Sequence, residues 1–186
     1  MSLINKITVL LFCLLIISEA SAQEIKKVGK FKDWETIVVT DGAKKLCFAQ
    51  SKPVLQSPKK NPREARLFIS FRPADKIKDE VSITSGYQYN TQNSITAKSG
   101  KNKIKFDVKK ENFAWIGDTG LERKMVNVMK KGSRIMITGY NQSGSQTIDH
   151  YSLMGFTKAY NTAKKVALNI LNEKKQKNCF SLLRRT

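Results

Sequence analysis

The sequence predicts a mainly β, single-domain fold: an antiparallel β-sandwich or flattened barrel with two helices added. Three observations carry this. Short runs of β-branched and aromatic residues, separated by turn residues, recur from Trp34 to Leu153. Helical periodicity appears in only two places, near 121–131 and near 156–175. The alternation of strand with long helix that a parallel sheet requires is absent.

Each element has a local reason. Gln23 to Lys32 is polar and basic and reads as a flexible N-terminal arm, so the domain proper is expected over 33–186. Trp34 to Thr40 is a strand, Asp41-Gly42 a hairpin turn, and Leu46 to Ser51 the return strand. Lys52 to Arg63, with Pro53, Pro58 and Pro62, reads as an exposed loop. Ala65 to Arg72 is apolar on both faces and therefore central, and Glu80 to Tyr87 alternates. Ser94 to Lys98 and Lys103 to Lys109 flank Gly100 as a hairpin, with Ile104, Phe106 and Val108 on one face.

Leu121, Met125, Val128 and Met129 then share a helical face, preceded by Thr119 and Glu122 at capping-box spacing and closed by Gly132. Ser133 to Tyr140 and Thr147 to Leu153 are the last strands. After Gly155, an apolar stripe from Phe156 through Tyr160, Ala163 and Ala167 to Ile170 marks a closing amphipathic helix. There is no internal repeat and no linker able to divide two domains.

Residues 1–22 read as a secretory signal. Lys6 precedes the apolar run Ile7 to Ile17, and Ala20-Ser21-Ala22 offers small residues for cleavage between Ala22 and Gln23. The run is short of the roughly 20 residues a spanning helix needs. A periplasmic or secreted protein is expected, not membrane-spanning after cleavage. Removal of Cys13 with the signal leaves Cys47 and Cys179, an even pair in an oxidising compartment, which reads as one disulfide. The bridge would close a loop of more than about a hundred residues, worth about 4–5 kcal/mol by chain entropy.

The formal net charge is +19, carried by 34 Lys and Arg against 15 Asp and Glu. Lysine supplies most of it, and lysine is a point charge where arginine would be used for bidentate phosphate and base recognition. Export and lysine excess together disfavour nucleic acid. A solvated lysine-rich surface is the simpler account. The functional alternative is an anionic envelope polymer, lipid headgroups or another envelope protein, held at Lys98, Lys101, Lys103, Lys105 and Lys109.

Catalytic patterns are thin. His150 is the sole histidine, so no histidine-rich metal site exists, and two cysteines without ligand spacing do not replace one. Asp149 and His150 are strand neighbours that point to opposite faces, which argues against a triad with Ser152 or Ser143. Asp33, Glu35, Asp75, Asp79, Glu80 and Asp118 are the carboxylates near likely elements, and no spacing selects a pair. Glycine-rich phosphate loops do not occur. No cofactor is expected, and the chain reads as a non-enzyme. The alternatives are a periplasmic hydrolase with a carboxylate pair and an outer-membrane structural or chaperone-like accessory. Core use is the simpler account of both Trp34 and Trp115, Trp115 being the better candidate for a partly exposed role.

Tyr151-Ser152-Leu153-Met154-Gly155-Phe156-Thr157-Lys158-Ala159-Tyr160 resembles the closing motif of the invasion-associated locus B family. Asp33-Trp34-Glu35, Leu46-Cys47-Phe48-Ala49-Gln50-Ser51-Lys52-Pro53, Arg72-Pro73, Asp79-Glu80-Val81-Ser82 and Met129-Lys130-Lys131-Gly132-Ser133 agree in order. The resemblance implies an exported, β-rich bacterial envelope protein without known catalytic residues. Here a longer basic helix separates the Gly-Phe-Thr segment from the last cysteine than is usual in similar proteins.

Overall fold

The computed structural model describes residues 23–42, 44–60 and 62–183, leaving aside the side chains of 174–183. The signal segment, with Ala22 of the expected cleavage site, and the side chain of Cys179 lie outside the described residues.

Two antiparallel sheets form the body. The seven-stranded sheet runs β1 (Glu24–Phe31), β2 (Trp34–Asp41), β3 (Lys44–Ser51), β5 (Arg66–Arg72), β6 (Ile77–Thr84), β10 (Phe113–Trp115) and β9 (Val108–Lys110). The five-stranded sheet runs β4 (Leu55–Ser57), β12 (Gln146–Ser152), β11 (Arg134–Tyr140), β7 (Ile95–Ser99) and β8 (Asn102–Phe106). The sheets are separate, so the architecture is a sandwich and not a closed barrel. Helix α1 spans Thr119–Lys131 and helix α2 spans Phe156–Leu183.

One core joins the layers. Leu67, Ile69, Val81 and Ile83 of the large sheet meet Ile95, Ile104, Phe106, Ile135 and Ile137 of the small one. Helix α2 covers the remaining inner half of the large sheet. Phe156 packs edge-on to Trp34 at 4.8 Å between ring centroids, and Thr36 Oγ1 donates to the Ala159 carbonyl at 2.9 Å. Trp34 is thus a core residue, its Nε1 donating to the Ser152 carbonyl at 2.9 Å. Gly155 makes the strand-to-helix corner possible. Its φ is +89°, and a Cβ there would overlap the Phe31 carbonyl.

Four expectations change. The N-terminal arm is strand β1, paired with β2 from Glu24↔Thr40 to Phe31↔Trp34. It is an edge strand exposed along most of its length, so partner backbone and not apolar alternation holds it, with Lys27 paired to Glu35. The proline-bearing loop contributes β4, which adds to β12 at His150↔Leu55. The strand expected over 103–109 breaks at Asp107, whose carboxylate accepts from Gly117 N–H at 2.7 Å. There the chain crosses from the small sheet to the large one. Helix α1 is capped by Asp118, which accepts from Leu121 N–H at 2.7 Å. Glu122 is not the reciprocal member of a capping box, because it is turned inward to accept from Val81 N–H at 3.0 Å.

Candidate anion-binding surface and an acidic cleft

The β7–β8 hairpin alternates buried Ala97, Ile104 and Phe106 with exposed Lys98, Lys103 and Lys105. Register places Lys98 directly opposite Lys103. Like charges so opposed destabilise a sheet by up to about 1 kcal/mol. Neither lysine, nor Lys101 at the turn or Lys105, takes part in an ion pair among the described residues. Because β8 is an edge strand, its lysines also guard against edge-to-edge pairing.

Lys109 is not part of this surface. It lies in β9 of the other sheet, and its ammonium donates to the carbonyls of Asn90, Thr91 and Asn93 at 2.8, 3.0 and 3.0 Å. It closes a loop instead of facing solvent, because the chain changes sheets at Asp107.

Four cations that sequence reading did not single out complete the basic region. An open cleft of about 1010 Å³ separates the hairpin tip, at Ser99, Gly100 and Asn102, from helix α1. Arg123, Lys124, Lys131 and Arg134 line it, and no carboxylate does. Gly120, Arg123, Lys124, Asn127 and Lys131 fall at helical spacing on the side away from buried Met125, Val126 and Met129. That spacing is visible in the sequence. The opposing wall, some twenty positions upstream, is brought there only by the fold.

A second cleft, of about 730 Å³, gathers Asp79, Glu80 and Glu122 with Arg72 and Trp115. Every carboxylate there is engaged. Glu80 receives two bonds from Arg72, at 2.8 and 2.5 Å, and Asp79 accepts from the Tyr160 hydroxyl at 2.5 Å. Glu122, bound to the Val81 amide, is nearly fully buried. Burial, with Glu80, Asp79 and Asp118 nearby, pushes its carboxyl up to about 7. Asp79 also holds a left-handed backbone, at φ +58°. Trp115 is half-buried on the outward side of β10, stacked with Phe113 at 5.7 Å.

Asp149 does not serve His150. It is buried and bound by Arg63, at 2.7 Å from Nη2 and 3.1 Å from Nη1. His150 faces the other way, half-exposed on β12, with Nδ1 lacking a hydrogen-bond partner. Cys47 is fully buried in β3, and burial pushes its thiol up to about 11, which argues against a nucleophile. The expected bridge to Cys179 falls on a side chain outside the described residues. Among those residues, no cluster of His, Cys, Asp and Glu is arranged to hold a metal.

Comparison with known proteins accords with this architecture. No curated protein matches the chain. A solved structure of the invasion-associated protein B from Bartonella henselae has a similar fold, at 15% identity and a TM-score of 0.50. The match covers 78% of this chain and 98% of that one. Proteins of the invasion-associated locus B family are exported envelope proteins, and no described helix here is long and apolar enough to cross a membrane. The family's sequence model matches residues 34–164, from the buried Trp34 of β2 into helix α2, so the chain belongs to the invasion-associated locus B family.

Proposed function

We propose that the protein is a periplasmic or cell-surface binding protein, not an enzyme, that holds an anionic envelope polymer or lipid headgroups on its basic side. The observation that carries this reading is the cleft between the β7–β8 tip and helix α1. It presents Arg123, Lys124, Lys131 and Arg134 with no carboxylate among its lining residues, beside the unpaired Lys98, Lys101, Lys103 and Lys105. Cations held together without counter-charges attract repeating phosphate or carboxylate groups, an attraction that salt weakens.

The test is binding of the exported protein to anionic lipid vesicles and to soluble heparin, at 50 and 500 mM salt. Each lysine or arginine near an anionic surface contributes about 1 kcal/mol. Replacing Arg123, Lys124 and Lys131 by Gln is therefore expected to weaken binding roughly 100-fold. Binding to both probes that ignores salt and these substitutions, or no binding to either, overturns the reading. A preference for vesicles or for heparin separates headgroup from polymer.

One observation favours hydrolysis as a second reading: Glu122, which lines the acidic cleft, titrates near neutrality as a general acid must. Turnover of an envelope glycan that Glu122→Gln abolishes in a folded protein would establish that reading in place of the first.

A further inference from the structure

The outward face of the seven-stranded sheet carries a run of rings, set among Glu35, Gln50, Arg66 and Glu80, that nothing covers among the described residues. Inward positions such as Trp34, Thr36 and Phe71 meet helix α2, and Ile69 and Ile83 meet the small sheet. Their strand neighbours necessarily point the other way. Ile37 and Phe48 are cross-strand partners on that outer side, followed by Phe68, Phe113 and Trp115, all half-buried. The rings form a ladder across the strands, with centroids 5.7 Å apart for Phe48–Phe68, 6.2 Å for Phe68–Phe113 and 5.7 Å for Phe113–Trp115. Val108 of β9, paired with Trp115, extends it and is 47% exposed.

Most charges on this face are paired. Lys27 pairs with Glu35 across β1 and β2. Arg66 pairs with Glu64 at 2.9 Å, and Arg72 with Glu80 at 2.5 Å. A chain carrying +19 thus has one face where rings lie among mostly paired charges, with Lys30 and Lys110 left without an ion pair at its two edges among the described residues. An anionic partner gains most at the lysine hairpin. A partner as basic as the protein itself is repelled least over this face.

We infer that the outward face of the seven-stranded sheet, centred on the Phe48–Phe68–Phe113–Trp115 ladder, is where a second copy of this chain docks, sheet face against sheet face. The area suffices. Five strands of seven or eight residues, about 4.8 Å apart and about 24 Å long, and two strands of three residues give a face of about 560 Å². Two such faces bury about 1,100 Å², just above the roughly 1,000 Å² that a specific interface needs. Aromatic side chains are those that interface cores enrich. Lysines on β1 and β9 oppose edge-to-edge joining and leave face stacking as the route. A twofold arrangement closes, so the product is a dimer.

The test is sedimentation equilibrium of the exported protein, purified as the cell processes it, from 1 µM to 1 mM and at 50, 150 and 500 mM salt. A reversible monomer–dimer equilibrium is expected, tightening at least threefold between the lowest and highest salt as like-charge repulsion is screened. Phe48→Lys is expected to weaken it at least tenfold. Val108→Lys, at a position exposed enough to leave the fold intact, is expected to do the same, while Lys103→Gln leaves it unchanged. A protein monomeric at every concentration and salt overturns the inference. So does a dimer indifferent to Val108→Lys, which would be joined elsewhere. So does a monomer whose face takes up a fluorescent acyl probe that Val108→Lys expels, since its occupant would then be lipid.

Discussion

The two outer surfaces of this sandwich are built from the same strand alternation yet treat charge in opposite ways. On the seven-stranded side Glu35, Glu64 and Glu80 each hold a cation, and the rings between them are apolar. On the side of the β7–β8 hairpin and helix α1, lysines and arginines stand together without carboxylates. Net charge is therefore a poor guide to where this protein binds. The total of +19 is spread unevenly, over one face where most charges are paired and another where they are not. Added salt should strengthen association through the first and weaken it through the second, because one loses repulsion and the other attraction.

The largest expected effect comes from charge that lies on neither surface. Arg63 and Asp149 are paired where the β4 segment meets the small sheet, with the aspartate side chain 1% exposed. Gln56 adds a bond to the same carboxylate at 3.3 Å. Asp149→Ala leaves a buried guanidinium uncompensated and is expected to cost about 3–5 kcal/mol in urea unfolding. Arg72→Ala, at the half-exposed rim of the apolar face, is expected to cost at most about 1 kcal/mol. Equal losses would show that burial does not separate the two pairs.

Next is Glu122, the acid on the inner side of the helix whose outer stripe is cationic. Its carboxyl titrates near 7 in the folded protein against an ordinary 4.5. Below about 4.5 both folded and unfolded chains hold the proton, and the group contributes no pH dependence. Between 4.5 and 7 only the folded chain holds it, so stability falls as pH rises, by about 3 kcal/mol, and is level above. Glu122→Gln keeps an acceptor for the Val81 amide and removes the titration. The variant's stability relative to the wild type should therefore rise by that amount from pH 4 to pH 8. A relative stability that does not change with pH would place the carboxyl at its ordinary value.

Much of this arrangement was legible in the sequence wherever one face of an element is buried. Trp34 to Thr40, the Asp41-Gly42 turn and the stripe from Phe156 to Ile170 each carry a periodicity that the core enforces. Strand β1 was hidden because it is an edge, with lysines where a buried strand would carry apolar residues. Strands β9 and β10 have three residues each, too few for a period to show. Lys109 read as one more lysine of a strand face, since nothing local reveals that the chain changes sheets at Asp107. The basic cleft was half legible, as the Gly120-to-Lys131 stripe. Facing it with residues 99–102 is a tertiary fact.

The smallest effect is the sharpest test of the contrast between the faces. Lys103 stands opposite Lys98 with no counter-charge, so Lys103→Glu converts a repulsive cross-strand pair into an attractive one. Stability is expected to rise by about 0.5–1 kcal/mol, while affinity for anionic vesicles falls roughly tenfold or more as one cation is lost and an acid gained. A residue that destabilises its own sheet yet strengthens anion binding is a functional cation. If the substitution stabilises the protein and leaves vesicle affinity intact, the hairpin lysines serve only to guard an edge strand, and the basic side loses that part of its binding surface.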